Sequence, residues 1–228
     1  MPISSLKIKI VAINASYKKM IVEKIEFDDV FAANCYFYVD EKTKEGFIID
    51  PSAHADKLLQ IIKTNHWDIQ KILLTHSHID HIGAALELAK ALNIKIFGYK
   101  NAQLYLSNLS LKMHLTNREV LKNMQYLNDT DEICLKKDNS PRLKVIATPG
   151  HTLDSVVYYD PKEAIAFSGD TIFASSIGRT DLEGSGGNHE QLIENITQKI
   201  LTLNDNTILY PGHGPSTTVA QEKKWFDI

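Results

Sequence analysis

The chain of 228 residues has little cysteine: only Cys35 and Cys134 are present. Two thiols so far apart exclude a disulfide framework and a zinc site built from closely spaced thiolates, so we interpret both as reduced and partly buried. No apolar run approaches the roughly 18 residues that a membrane helix needs. The first ten residues, MPISSLKIKI, contain no signal-peptide core. We therefore expect a cytoplasmic protein without a membrane span.

The sequence also lacks an excess of charge of either sign. Its 25 Lys and Arg residues stand against 28 Asp and Glu residues, for a net charge of −3 at pH 7. Nucleic acids and anionic membranes attract clustered positive charge, so this balance predicts neither as a partner. The composition, 43% hydrophobic and 23% charged, is that of a globular protein. Nine histidines are the unusual feature, and a metal site here must use imidazole and carboxylate.

Hydrophobic spacing predicts strands and helices along the whole chain. The predicted strands cover residues 21–27, 35–39, 46–49, 71–74, 94–99, 143–147, 155–159, 164–167 and 207–210. The predicted helices cover residues 54–65, 81–92 and 189–201, with one or two more within 101–130 and a glycine-rich loop at 178–187. No Pro- or Ser-rich linker and no repeat divides the chain. We predict one domain over residues 1–228, with a two-layered β core and helices outside it.

The most informative segment is residues 75–81, which read T-H-S-H-I-D-H between a predicted strand and a predicted helix. Side chains two residues apart in an extended chain point the same way, so His76 and His78 can aim at one point. Asp80 and His81 leave that line as the helix begins, and they can serve a second point nearby. This spacing suits two adjacent metal ions. The alternative is a polar turn with solvated histidines.

Three more residues of metal-ligand type each follow a predicted strand and a glycine. They are His151, Asp170 and His213, in the sequences P-G-H, S-G-D and P-G-H. Binding sites in layered α/β folds collect on loops beyond strand ends, and glycine permits tight turns there. We therefore expect seven candidate metal ligands on one rim of the fold: His76, His78, Asp80, His81, His151, Asp170 and His213.

Together these motifs resemble the metallo-β-lactamase superfamily. T-H-x-H-x-D-H, P-G-H-T at 149–152, S-G-D at 168–170 and P-G-H-G at 211–214 occur in the family's order, from about residue 20 to 215. The segment 169–182, G-D-T-I-F-A-S-S-I-G-R-T-D-L, is similar to the loop of small glyoxalase II-like hydrolases, which reads G-D-x-x-F-x-x-S-I-G-R-T-D-L-P-G-G. Here Glu183 replaces the proline and Ser185 interrupts the glycines.

The resemblance implies an α+β fold, a four-layer αββα sandwich, with two metal ions between the loop ends of its sheets. It assigns His76, His78 and His151 to the first metal, Asp80, His81 and His213 to the second, and Asp170 to a bridge between them. The implied metals are two Zn²⁺ per chain, with iron or manganese possible. Asp80 would also be catalytic, since it would orient the hydroxide that the metals generate and accept its proton. The chain has no G-x-S-x-G motif for a covalent nucleophile.

Two residues beside these motifs have two interpretations each. In the first interpretation Arg179 lies near an anionic part of the substrate; in the second, Arg179 and Asp181 pair with neighbours and stiffen the loop near Asp170. Asp50 supports the metal ligands, as the family resemblance implies, or it forms a turn before Pro51. We interpret the remaining histidines as surface or capping residues: His54, His66, His114 and His189.

The implied activity is hydrolysis of a thioester of the hydroxyacylglutathione type, or of another small thioester or ester. Glyoxalase II proper adds a C-terminal region that binds glutathione, and we expect it to be absent because fifteen residues follow His213. The alternatives are a persulfide dioxygenase with one iron held by two His and one Asp, and a metal-binding domain without turnover. Two other activities of the superfamily fit this chain less well. Lactonases usually lack the S-I-G-R-T-D-L loop, and β-lactamases are normally exported, whereas we expect no signal peptide here. As partners we expect the small substrate, no nucleic acid and no membrane, in a monomer or homodimer.

Overall fold

The first of two sheets has six strands. The structure is a computed structural model, and it describes residues 20–27, 33–107, 115–137 and 141–227. Along the sheet the order is β1 (Met20–Ile25), β2 (Cys35–Asp40), β3 (Glu45–Ile49), β4 (Asp68–Leu73), β5 (Lys95–Tyr99) and β6 (Met124–Leu127). Strands β1 to β3 pair antiparallel, and β3 to β6 pair parallel.

Helices connect the parallel strands because each connection must return from the carboxyl end of one strand to the amino end of the next. They are α1 (Ala55–Thr64), α2 (Ile79–Ile82), α3 (Ala85–Leu92), α4 (Gln103–Ser107), which follows a 3₁₀ turn, and α5 (Leu115–Lys122). Leu58 and Ile62, one helical turn apart on α1, are buried against the outer face of this sheet, in one cluster with Phe37 and Ile72. This packing forms the first helical layer.

The second sheet also has six strands. Its order is β14 (Thr217–Thr218), β13 (Ile208–Pro211), β10 (Ile165–Gly169), β9 (Val156–Asp160), β8 (Pro141–Ala147) and β7 (Glu132–Cys134). All neighbours are antiparallel except β10 and β13. A small hairpin, β11 (Ile172–Phe173) and β12 (Ser176–Ile177), follows β10. Helix α6 (His189–Asn195), a π-helical turn (Ile196–Ile200) and α7 (Val219–Trp225) complete the chain, and their buried side chains pack on Val157, Ala166 and Leu209.

The main core lies between the two sheets. On β2, Tyr36 and Tyr38 point into this core, whereas Phe37 and Val39 point to the helices on the other face. A strand buried on both faces is continuously apolar, as the sequence of β2, CYFYVD, nearly is. Three apolar clusters, one between the sheets and one outside each, give four layers. The predicted αββα sandwich is confirmed, and the single domain over residues 1–228 stays a prediction.

Residues 101–130 differ from the prediction of helices alone. Residues 124–127 form β6, which pairs with β5 and brings Tyr126 opposite Gly98. A strand of four residues carries little periodic signal, and its pairing partner lies 25 or more residues away, so local sequence missed it. The hairpin β11–β12, the short strands β7 and β14, and helix α7 were not predicted either.

The helix predicted at 81–92 begins earlier and is broken. It starts at Ile79 and divides between Ile82 and Ala85. The amide of Ala84 donates to the carbonyl of Pro51 instead of to a helical carbonyl, and Gly83 packs on the backbone of Ser52. The break therefore arises from a contact with the loop after β3. Among the described helices, none is long and apolar enough to span a bilayer.

Phe167 tests the core between the sheets. Its buried ring lies 5.2 to 5.6 Å from the rings of Tyr36, Tyr38 and Tyr210. Phe167→Ala removes these contacts and leaves a cavity, so we expect the free energy of unfolding in urea to fall by about 3–5 kcal/mol. Leu104→Ala, at a side chain that is 44% exposed, is the control and should change stability by about 0.5 kcal/mol or less. Equal losses in both variants would contradict this description of the core.

Candidate metal centre

All seven predicted ligands lie at one edge of the sandwich, beyond the carboxyl ends of strands. His76 and His78 follow β4, and the chain then enters α2 with Asp80 and His81. In the second sheet β8, β10 and β13 run in the same direction, and they lead to His151, Asp170 and His213. Each sheet therefore contributes part of the cluster. The rim that the sequence predicted is present in the fold.

His76, His78 and His151 form the first group. The Nδ1 atom of His78 lies 3.1 Å from Nε2 of His76 and 3.0 Å from Nε2 of His151. His76 and His151 are buried, and His78 is half-buried. Three ring nitrogens thus meet at one point, and these three residues are one of the groups whose atoms lie within 4.8 Å of one another and could hold a metal ion.

Asp80, His81 and His213 form the second group. The Oδ2 atom of Asp80 lies 3.2 Å from Nε2 of His213 and 3.8 Å from Nε2 of His81. The side chain of His81 is fully buried, whereas that of His213 is 42% exposed and that of Asp80 is 23% exposed. The second group is therefore the side of the centre that solvent and a small molecule can reach.

Asp170 lies between the two groups. Its Oδ1 atom is 3.3 Å from Nε2 of His81, and its Oδ2 atom is 3.5 Å from Nε2 of His151 and 3.6 Å from Nε2 of His213. Asp170 also forms a third possible metal-binding group with His76 and His81. One carboxylate therefore faces histidines of both groups.

Hydrogen bonds from the ring nitrogens that face away from the cluster fix the orientation of His151 and His81. The Nδ1 atom of His151 donates to the backbone carbonyl of Arg179 at 2.6 Å, and Nδ1 of His81 donates to Oδ2 of Asp50 at 2.9 Å. A carbonyl and a carboxylate only accept, so each ring carries its proton on Nδ1. In the neutral ring the lone pair of Nε2 then points into the cluster, as a metal ligand requires.

Two atoms in the centre fit a bound cation. Nε2 of His81 and Oδ1 of Asp170 are buried and lie 3.3 Å apart, and among the described residues neither has a partner in hydrogen-bond geometry. Buried polar atoms normally find a partner, so an unsatisfied pair facing the same point requires an explanation. The cluster offers only nitrogen and oxygen ligands of the types that bind Zn²⁺, Fe²⁺ or Mn²⁺. The residues present therefore fit a divalent metal.

Electrostatics prepare the cluster for metal binding. Burial lowers the pKa of His76 well below its usual range, and burial together with His151 lowers that of His78 to about 4, so both rings are neutral at pH 7. Burial opposes ionisation of Asp170, but His81, His151 and His213 together outweigh burial and bring the pKa of Asp170 to about 2. Neutral imidazole and ionised carboxylate are the forms that coordinate metals, so His76, His78 and Asp170 are in that form already. Burial lowers the pKa of His81, but Asp170 and Asp50 together raise it well above its usual range, so this ring releases a proton when a metal binds.

A second carboxylate beside the centre was not predicted from the sequence. Asp154 is buried, and its Oδ2 atom accepts a hydrogen bond from the hydroxyl of Ser77, the residue between His76 and His78. Burial raises the pKa of Asp154 above its usual value, and the hydrogen bond from Ser77 offsets part of this increase. Asp154 also lies three residues beyond His151, so this bond ties together the loops that carry the first group. The only sequence signal was an acidic residue close to P-G-H.

Arg179 contributes to the centre through its backbone carbonyl and not through its side chain. Its carbonyl orients His151, while its guanidinium pairs with Asp181 through two bonds of 2.7 and 3.1 Å. Both side chains are more than 60% exposed. The pairing interpretation matches this geometry, and contact with a substrate anion stays a prediction. Asp50 supports His81, as one of its two interpretations expected.

The remaining histidines lie apart from the cluster wherever the structure describes them. His54 precedes α1 and packs on Phe27, while His66 and His189 are exposed. None of these three belongs to a possible metal-binding group. His114 lies outside the described residues.

Comparison with known proteins assigns the family. The family model of the metallo-beta-lactamase superfamily matches residues 28–213. The chain belongs to this superfamily. Over 198 residues, 85% of this chain and 91% of the relative, it is 34% identical to a protein of Haemophilus influenzae named hydroxyacylglutathione hydrolase GloC.

Two solved structures are similar to this member of the superfamily. One is the B3 metallo-beta-lactamase BLEG-1, with a TM-score of 0.76, 32% identity, and coverage of 90% of this chain and 97% of that one. The other is TTHA1623 in a di-iron-bound form, with a TM-score of 0.69, 28% identity, and coverage of 86% and 94%. Superfamily membership and these relatives support the expectation of an enzyme, and the chain is a metal-dependent hydrolase.

Ser77→Ala tests the hydrogen bond from Ser77 to Asp154, which joins the loop of His76 and His78 to the loop of His151. The change removes a donor and leaves the carboxylate of Asp154 buried, so we expect the free energy of unfolding of the metal-free protein in urea to fall by about 1–3 kcal/mol. Ser107→Ala is the control, because Ser107 is exposed and its hydroxyl bonds to carbonyls of its own helix. A stability of Ser77→Ala equal to that of the control would show that the bond contributes nothing.

Proposed function

We propose that this metallo-hydrolase uses two metal ions, zinc in the first instance, to hydrolyse a small thioester. The observation that carries the proposal is the position of Asp170 between two groups of three ligand-type residues. His76, His78 and His151 are assigned to the first metal, Asp80, His81 and His213 to the second, and Asp170 to the bridge. The site was proposed from sequence motifs, and the distances above support the same division.

The chemistry divides between the metals and the side chains. Two bound divalent cations would acidify a water molecule and polarise the carbonyl that it attacks. Asp80 lies on the solvent-facing side. Burial raises its pKa, but His213 and His81 together outweigh burial and lower it, so Asp80 is ionised at neutral pH. We assign to its carboxylate the acceptance of the proton from the attacking water. The water oxygen bonds to the carbonyl carbon, the carbon–sulfur bond breaks, and the proton passes to the leaving thiolate.

The support for a thioester is the similarity to hydroxyacylglutathione hydrolase GloC together with the G-R-T-D-L segment of this chain. Arg179 lies just after the hairpin β11–β12, which begins two residues after Asp170, and its guanidinium is exposed. We propose that it contacts an anionic part of the substrate when Asp181 releases it. A cytoplasmic location and a monomeric or homodimeric state remain predictions.

A single-iron persulfide dioxygenase is the second candidate. It is favoured by the same G-R-T-D segment. The similar protein TTHA1623 was solved in a di-iron-bound form, which supports iron as the metal but not a site with a single ion. Such a site would use two histidines and one aspartate and would leave the second group without a metal. The number of metals bound therefore separates the two functions.

Asp170→Ala tests the two-metal arrangement. Because its carboxylate faces both groups, we expect the variant to lose affinity for both metals and to lose more than about 100-fold in kcat. The measurements are metal content by mass spectrometry after dialysis and the turnover of a thioester. Asp205→Ala, at an exposed carboxylate paired with Lys223, is the matched control and should retain both. Near-normal turnover in Asp170→Ala would refute the mechanism.

A substrate panel tests the activity. We expect about two zinc ions per chain and hydrolysis of a hydroxyacylglutathione or a short acyl thioester, abolished by a chelator and restored by Zn²⁺. The panel adds a lactone, a β-lactam, and glutathione persulfide in an oxygen electrode. One iron per chain with oxygen uptake on the persulfide would overturn hydrolysis in favour of the dioxygenase. Activity on the lactone or the β-lactam alone would keep the hydrolase and refute the thioester.

A further inference from the structure

Three tyrosines in the core between the sheets each donate a hydrogen bond from one sheet to the other. Tyr36 and Tyr38 of β2 and Tyr158 of β9 have at most 2% of their surface exposed. The hydroxyl of Tyr36 donates to the carbonyl of Pro211 at 2.6 Å, and that of Tyr158 donates to the carbonyl of Leu74 at 2.7 Å. The hydroxyl of Tyr38 donates to Oδ2 of Asp160, also at 2.7 Å.

The first two bonds end beside the metal centre. Leu74 directly follows β4 and lies two residues before His76, whereas Pro211 ends β13 and lies two residues before His213. The bonds run in opposite directions: Tyr36 reaches from the first sheet to the second, and Tyr158 reaches from the second sheet to the first. The third bond ends at Asp160, the last residue of β9, whose amino-terminal end is the one near His151.

Each ligand group combines residues from both sheets. His76 and His78 come from the first sheet and His151 from the second, while Asp80 and His81 come from the first and His213 from the second. The distance between the strand ends therefore determines whether the ligands of a group reach one metal ion. Metal–ligand distances tolerate a deviation of only about 0.2 Å.

We propose that Tyr36 and Tyr158 are positioning residues, whose cross-sheet hydrogen bonds hold the His213 and His76 loops at the separation that metal binding requires. This inference rests on the proposed metal centre. Tyr158 acts on the first group and Tyr36 on the second. Backbone bonds between the sheets, from Val156 N to Thr75 O at 2.8 Å and from Asn34 N to Gly212 O at 2.7 Å, share this task at the same edge.

The test is the set Tyr36→Phe, Tyr158→Phe and Tyr38→Phe, each of which removes one hydroxyl and keeps the buried ring. Tyr38→Phe is the matched control, because it loses a cross-sheet bond that does not end at a ligand loop. The first measurement is urea unfolding of the metal-free proteins. The second is the affinity of each of the two sites for Zn²⁺, by competition with a chromophoric chelator.

We expect all three variants to lose stability, and Tyr38→Phe to lose the most because its partner is a buried carboxylate. We expect zinc affinity to fall about 10-fold or more at one site in Tyr36→Phe and at the other in Tyr158→Phe, and to stay within about 2-fold of the wild type in Tyr38→Phe. Unchanged affinity in Tyr36→Phe and Tyr158→Phe, or an equal fall in all three variants, would overturn the inference. A wild-type protein that binds no metal would instead overturn the proposed function.

Asn34→Ala provides a second test of the same loop if Tyr36→Phe does not fold. The side-chain amide of Asn34 also donates to the carbonyl of Pro211, at 2.9 Å, and to that of Gly214 at 3.0 Å. Asn34→Ala removes these bonds on the same loop and should weaken the same zinc site as Tyr36→Phe. Normal zinc affinity in Asn34→Ala would count against the inference.

Discussion

The packing of the two sheets against each other is the constraint on which the rest of the structure depends. Aromatic rings of Tyr36, Tyr38 and Phe167 fill the space between them, and protein interiors are packed too densely for that space to change without loss of contacts. Strands β4, β8, β10 and β13 therefore end at fixed positions along one edge. The short loops beyond them inherit this rigidity, so seven side chains from distant parts of the chain meet within a few ångströms.

Much of this arrangement was predictable because the signals are local. His76 and His78 stand two residues apart after a strand, and glycine precedes His151, Asp170 and His213, so spacing alone placed seven candidates on a rim. Nearly continuous apolar sequence identified strands such as β2, which is buried on both faces. The four layers followed from the family resemblance, and the fold confirmed them.

What the sequence could not predict depends on contacts between distant segments. Strand β6 exists because β5 offers it an unpaired edge, and the break before α3 arises because Ala84 bonds to Pro51. The bond between Ser77 and Asp154 joins residues 77 positions apart, and neither side chain is unusual in its own surroundings. Such pairings appear only after the sheets have brought the loops together, so no window of sequence contains them.

The carbonyl that orients His151 has a consequence for how this loop tolerates evolutionary change. Because the acceptor belongs to the backbone of Arg179, any amino acid at that position supplies it, provided that the loop keeps its path. The eight residues between Asp170 and Arg179 form the hairpin that sets this path, and a Cβ on Gly178 would collide with the backbone of Asp170. The orientation of His151 therefore depends on the number of residues in this loop and not on the side chain at position 179: an insertion or deletion would displace the carbonyl, whereas a substitution of Arg179 would leave it in place.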